Sequence, residues 1–214
     1  MADRPIANIA DNPEWVAEAA NWFSAKWDIP ATAYAESMKE SIAAQGRTVP
    51  QWFIVRGGES VEIRKVNAKG DPELLGSLVS LWRKSVEATH TFLTNDDIER
   101  IAGYVPQAIE NVRQLTVAAD TRGTLLGFIG VDGDIIEMLF VHPEARGKGV
   151  GKLLLSHAVS ACDANRVDVN EQNEQARDFY ERMGFRVIGR SETDDAGDAF
   201  PILHMQLAPS SPSR

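Results

Sequence analysis

"PEARGKGVGKLLLSHAV" (Pro143–Val159) sets three glycines, Gly147, Gly149 and Gly151, among Arg146, Lys148 and Val150, and an apolar helical pattern begins directly behind them. Glycine loses more backbone freedom on folding than any other residue, so three within five positions predict a main chain that passes close to something. The apolar strand pattern "IIEMLFV" (Ile135–Val141) runs into the same loop. Strand, glycine-rich turn and helix start together make an anion site. The first N–H groups of a helix have no internal partner, and the macrodipole adds roughly half a positive charge there. Arg146, Lys148 and Lys152 would add cations beside it. Phosphate is the expected guest; the alternative is a turn that merely starts a helix.

Spacing excludes two common phosphate loops. The ATP-type pattern G-x-x-x-x-G-K-[ST] is absent. The dinucleotide pattern G-x-G-x-x-G fails because Lys152 stands where the third glycine should fall after Gly147 and Gly149. A Rossmann site also needs parallel strands around it. Here the strand patterns "QLTVAA", "TLLGFIGV" and "IIEMLFV" are joined by the short turns "DTRG" and "DGD". That spacing predicts antiparallel neighbours.

The 214-residue chain carries a formal net charge of −9, which argues against a nucleic-acid or anionic-membrane partner held by bulk electrostatics. An anion bound here must be held by local dipoles and a few placed cations. Cys162 is the single cysteine, so no disulfide forms within the chain, in keeping with a reducing compartment. No apolar run reaches the ~18–20 residues of a membrane span, and the start lacks a signal-peptide core. A cytoplasmic protein is the expectation. His90, His142, His157 and His204 are scattered without metal-ligand spacing, and no G-x-S-x-G elbow is present. Neither a metal nor a covalent enzyme intermediate is expected.

Four of the five tryptophans precede Arg56, in a segment read as two helices and the strand "QWFIV" (Gln51–Val55). Behind it come the strand "VEIRKV" and a helix over 72–89. A second helix runs from about Thr94 to Val112, followed by the three strands already named. After the glycine loop and its helix come a strand at 166–169 and a helix over about 173–183. The strands "FRVIGRSE" and "FPILHMQL" close the domain.

A second motif narrows the guest. "NEQARDFYERMGF" (Asn173–Phe185) puts Asn173 at a helix start, Ala176, Phe179 and Tyr180 on successive turns, and Gly184 at the stop. Arg146, Gly149 and Gly151 in the form [QR]-x-x-G-x-[GA], followed by this helix, resemble the GNAT superfamily of acyl-CoA-dependent N-acetyltransferases. The stretches "RKSVEATHTFL", "VNEQNEQA" and "GRSETDD" look like a YjaB-like bacterial branch of it. The resemblance implies an α+β fold in α/β/α layers, with a mixed, mostly antiparallel sheet. The pyrophosphate loop would join the fourth strand and third helix of the family's core. The organisation expected is a front fragment over 1–57 resembling the opening of such a domain, a complete domain over 58–208, and a disordered tail over 209–214.

The resemblance also implies acetyl-CoA as cosubstrate and a primary amine, on a small molecule or a peptide, as acceptor. Its pyrophosphate would lie on Arg146, Gly147, Lys148, Gly149, Val150 and Gly151. Its pantetheine arm would follow Leu139, Phe140 and Val141, where a strand bulge within Met138–Val141 frees backbone N–H groups, one of them near Leu139 for the acyl carbonyl, and would touch Asn173 and Phe179. Tyr180 stands where the family places its general acid, although it could simply pack beside Phe179. Glu137 is the candidate base, two residues before Leu139 and so expected on the same face; it could equally be an edge glutamate facing solvent or an arginine's partner. His90 and Phe92 are candidates for the acceptor pocket, His90 with the alternative of an ordinary helix-end residue, and Glu171 is a weaker one. A reading from another class is a CoA-binding sensor or assembly module without turnover. The front segment could cover an edge strand, mediate a homodimer or cap the acceptor cleft.

Overall fold

The computed structural model describes residues 61–194 and 196–208, the front strands at 6–8 and 51–55, and helical positions 16, 17, 20, 32, 35 and 39. The remaining residues of the segment read as two front helices, the expected boundary at 57/58 and the 209–214 tail lie outside the described residues. The strands are β1 (Ile6–Asn8), β2 (Gln51–Val55), β3 (Val61–Val66), β4 (Gln114–Asp120), β5 (Leu125–Asp132), β6 (Ile135–Val141), β7 (Arg166–Asn170), β8 (Phe185–Ser191) and β9 (Ile202–Leu207). The helices of the core are α1 (Pro72–Thr89), α2 (Asn95–Ala102), α3 (Val105–Asn111), α4 (Val150–Cys162) and α5 (Glu174–Arg182). The strands form one sheet in the order β1-β2-β3-β4-β5-β6-β7-β9-β8. Seven of them, β3 to β9, belong to the core, and β2 and then β1 extend its edge antiparallel to β3. Only β6 and β7 run parallel, so the sheet is mixed and mostly antiparallel, as expected.

Local chemistry explains most boundaries. Asp71 caps α1 by accepting from the Leu74 N–H at 3.0 Å, with Pro72 as the first helical residue. Thr94 and Asp97 form a reciprocal capping box at the start of α2. The single helix expected from Thr94 to Val112 is in fact two. Pro106 lacks the N–H that would bond back to Ala102 and its ring clashes with that carbonyl, so the chain breaks at Gly103–Tyr104 and restarts as α3.

Two apolar layers sandwich the sheet. Leu78, Leu81, Trp82 and Val86 of α1 pack with Val117 and Phe128 on one face. Val150, Leu153, Leu154, Leu155 and Ala158 of α4 pack with Ile129, Ile136, Val167 and Met205 on the other.

A bulge sets up the site. On β6, Ile136 pairs with Val131 and Met138 with Gly130, leaving Glu137 as the extra residue. The simple two-residue alternation along β6 is therefore interrupted at Glu137. Leu139 packs in the same layer as Ile136, three positions away. The bulge falls immediately before the expected stretch Met138–Val141. Parallel pairing with β7 stops at the same point, the last pair being Ile136 with Val167. Beyond it the two strands diverge.

Candidate active site

The divergence opens a cleft of about 840 Å³ lined by Glu137 to Val141 of β6, Asp168 to Asn170 of β7, the glycine loop, and residues of α1 and α5. Sheet spacing normally leaves no such gap; here the edges of β6 and β7 turn unpaired main chain toward it.

The glycine loop closes one end. Gly147 (φ +71°) and Gly149 (φ +86°) both lie in the left-handed region, where a side chain would strain the backbone. Gly149 is the N-cap of α4, so the free N–H groups of its first turn border the cleft. A Cβ on Gly151 would meet Phe179 and Val141 at 3.6 Å, ordinary contact distance. Crowding within the protein therefore does not by itself require glycine at 151. The Arg146 guanidinium, which lines the cleft, donates to Gln175 Oε1 of α5. Lys148 is exposed on the loop, and Lys152 lines the cleft. A cationic, glycine-walled, N–H-bearing end fits a pyrophosphate.

α5 forms a wall. Asn173 caps it, its Oδ1 accepting from the Ala176 N–H at 3.1 Å. Phe179 and Tyr180 stack edge to face at 5.2 Å, and Tyr180 meets Phe185 at 5.4 Å. Tyr180 is 5% exposed yet lines the cleft. Burial pushes its phenol well above the usual tyrosine range, so it keeps its proton throughout the neutral range. Glu137 is exposed and borders the same cleft.

His90 and Asn173, two separate candidates in the sequence, meet across the cleft. Asn173 Oδ1 is occupied by Ala176, so its NH₂ end faces His90 Nε2 at 3.4 Å. His90 Nδ1 then carries the proton and donates to Thr89 Oγ1 at 2.8 Å, whose own hydrogen goes to the Ser85 carbonyl at 2.8 Å. Burial, with a smaller contribution from the Arg146 charge, lowers the His90 pKa and favours this neutral tautomer.

Phe92 lies between His90 and Phe200, with ring centroids 5.4 and 6.1 Å away. Arg100 of α2 reaches Asp198 at 2.7 Å. These two contacts tie the segment after α1 to the β8–β9 loop, and sequence reading had found neither Phe200 nor the Arg100–Asp198 pair. Glu171 is not directed at an acceptor. Both its carboxylate oxygens are taken by Arg190, at 2.9 and 2.8 Å, which holds its pKa below the usual range. Gln175 and Thr89 were also missed: both lie inside stretches quoted above, but each matters only through a partner distant in sequence or through the neighbouring ring.

The cleft and the topology define a class of enzyme. Residues 84–208, more than half of the chain, match the family model of the acetyltransferase (GNAT) domain, and the chain belongs to that family and is an acyltransferase. Among its relatives, the peptidyl-lysine N-acetyltransferase YjaB of Salmonella typhimurium is 40% identical over 132 residues, covering 60% of this chain and 88% of that one. YjaB of Escherichia coli is 41% identical over 132 residues, covering 60% and 86%. The solution structure of apo YjaB from E. coli superposes with a TM-score of 0.63 at 36% identity, over 70% of this chain and 99% of that one. A GCN5-related N-acetyltransferase from Rhodopseudomonas palustris, 23% identical with a TM-score of 0.55, shares the fold over 68% of this chain and 94% of its own.

Proposed function

We propose that this acetyltransferase transfers the acetyl group of acetyl-CoA to the side-chain amine of a lysine in a peptide or protein, by direct attack. The observation that carries this reading is the single cleft running from a cationic glycine loop, through the gap between β6 and β7, to Glu137 and Tyr180. The N-acetyltransferases of S. typhimurium and E. coli that it resembles over nearly their whole length act on peptidyl lysine.

Acetyl-CoA, when bound, supplies an activated acetyl thioester. Gly147 to Gly151 would hold its pyrophosphate through main-chain N–H groups, with Arg146, Lys148 and Lys152 as counter-charges. Leu139, Phe140 and Val141 would line the arm along the open edge of β6, with Asn173 and Phe179 opposite. Glu137 takes a proton at its carboxylate from the acceptor ammonium, directly or through water, so that the nitrogen can attack. The Tyr180 hydroxyl gives its proton to the leaving sulfur and regains one, directly or through water, from the nitrogen, which loses its second proton as the amide forms. His90 and Phe92 shape the acceptor entrance. His90, as a neutral imidazole with both nitrogens engaged, holds Asn173 in place.

The test pairs binding with turnover. Calorimetric titration of acetyl-CoA into the protein and its Gly149→Val variant is expected to give saturable binding that the variant loses. Thiol release in the presence of a lysine peptide, with acetylation located by mass spectrometry, is expected to depend on both partners. Binding with no turnover on any lysine or small amine would leave the non-catalytic CoA-binding module as the better reading.

A further inference from the structure

A hydrogen-bonded chain crosses three strands beside the cleft. Asp168 Oδ1 on β7 lies 2.8 Å from His204 Nδ1 on β9, and His204 Nε2 lies 2.8 Å from Ser191 Oγ on β8. The register builds it: Asp168 stands directly opposite His204, and Gly189 stands opposite His204 on the other side. Ile188 is bulged out of β8 at this point. A Cβ on Gly189 would come within 3.4 Å of His204 Cδ2, so the imidazole lies over a residue with no side chain and reaches Ser191 beyond it. Asp168 accepts from Nδ1–H, and Nε2 then accepts from the Ser191 hydroxyl.

The order Asp–His–Ser invites a reading as a nucleophilic triad, but the surroundings lack its other half. Ser191 ends β8, and in the loop beyond it the N–H groups of Ala196, Gly197 and Asp198 are all taken by Asp194. None of these is left to hold an oxyanion. The position of Asp168 suggests a different task. Val167 and Ile136 are the last paired residues before β6 and β7 part. Asp168 and Glu137 are therefore the first residues past the fork, one on each strand, and both line the cleft. Asp168 uses one oxygen on His204 and is 55% exposed, so it presents charge to whatever enters. Arg166, which also feels the Asp168 charge, forms its close pair with Asp134 at 2.7 Å, and Arg190 pairs with Glu171 at 2.8 Å, while Arg182 of α5 also lines the cleft. The cleft is thus cationic at the loop, where Arg146 and Lys152 line it, and carries Glu137 and Asp168 at the fork.

We propose that Asp168 is the specificity-determining contact for the ammonium group of the acceptor, and that His204, steadied by Ser191 and Gly189, is a positioning residue that aims it. This rests on the lysine-acetyltransferase reading and deepens it by assigning acceptor recognition to a residue outside the glycine-loop and α5 motifs. Glu137 keeps the proton-accepting role, and Asp168 supplies the fixed charge that brings the ammonium to it.

The experiment uses the full chain and two probes, a short lysine peptide as substrate and the same peptide with trimethyl-lysine as a permanently cationic non-acceptor. Asp168→Asn is expected to raise KM for the lysine peptide and Ki for the trimethyl-lysine peptide by about tenfold or more, with kcat changed much less and acetyl-CoA affinity intact. Asp168→Glu is expected to recover part of the loss. Gly189→Val, which displaces the imidazole, is expected to shift KM in the same direction by a smaller factor. Ser191→Ala should have a minor effect, whereas a nucleophilic triad would lose turnover altogether, and that result would overturn the assignment. In wild-type protein, the His204 ring resonance should move on adding the trimethyl-lysine peptide. If that peptide binds and moves His204 but no lysine is acetylated, docking stands and the transferase reading fails. If lysine is acetylated while Asp168→Asn leaves KM and Ki unchanged, the docking assignment is wrong and the transferase reading stands. Failure of wild-type protein to bind the cationic peptide would also overturn it.

Discussion

The two ends of the cleft are built in opposite ways. The loop end is made of main chain and of residues close together in sequence: a strand, six residues around three glycines, and the first turn of α4. The end we assign to the acceptor is lined by side chains of α1, β6 and β7, backed by α2, β8, β9 and the β8–β9 loop through contacts such as Arg100–Asp198 and Asp168–His204. A backbone site is carried by conformation and depends on glycine at positive φ. A side-chain site is carried by individual groups and can change one residue at a time. One scaffold can thus keep its cosubstrate while its acceptor drifts.

The contrast can be tested from both ends. The largest effect is expected at the chemistry between them. Tyr180→Phe should lower kcat by about 10²–10⁴-fold while acetyl-CoA affinity stays constant, because only the hydroxyl is removed and the ring packing on Phe179 and Phe185 is kept. Single-turnover kinetics check this, and an unchanged rate would remove Tyr180 as the acid. Next comes the loop. Gly149→Val places a β-branched side chain at φ +86° and should weaken acetyl-CoA roughly tenfold or more by calorimetry, whichever acceptor is used. At the seam, Asn173→Ala removes the cap of α5 and should cost about 1 kcal/mol of stability in denaturant unfolding, together with a looser His90.

Smaller effects belong to the acceptor end. Arg100→Ala should raise KM for the peptide by about two- to fivefold without changing acetyl-CoA binding, since the pair it breaks is half-exposed. A matching loss of acetyl-CoA affinity would erase the division between the two ends. The pH response of His90 is smaller still. Burial lowers its folded pKa, so the unfolded chain binds more protons in the window between that lowered value and its ordinary one of about 6.5. Stability therefore falls as pH drops through that window, and a His90→Gln variant should show a shallower fall in Tm between about pH 7.5 and 5.5.

The same division explains what could be read in advance. The strands and most of the helices of the core follow from local pattern and capping, and the loop motif with Asn173, Ala176, Phe179 and Tyr180 resembles a family whose membership the match over 84–208 shows. The failures have local causes. Pro106 divided a helical pattern whose apolar period continues across it. The bulge at Glu137 shifted a strand alternation, because a bulge leaves no mark in apolar spacing when both neighbours are apolar. Glu171 was read from its place beside Asn173, while its partner Arg190 lies on another strand.

By itself the sequence determined the glycine loop, the helix behind it and the order of elements, since each depends on backbone torsions, caps and periodicity that neighbours in the chain control. Only the tertiary structure decided where β6 and β7 part, which brings Glu137 and Asp168 to one fork, and which side chains close the acceptor end. Those relations depend on strand register and side-chain hydrogen bonds across as many as 83 positions, between His90 and Asn173, and a chain's local pattern does not encode which distant partner a polar group will meet.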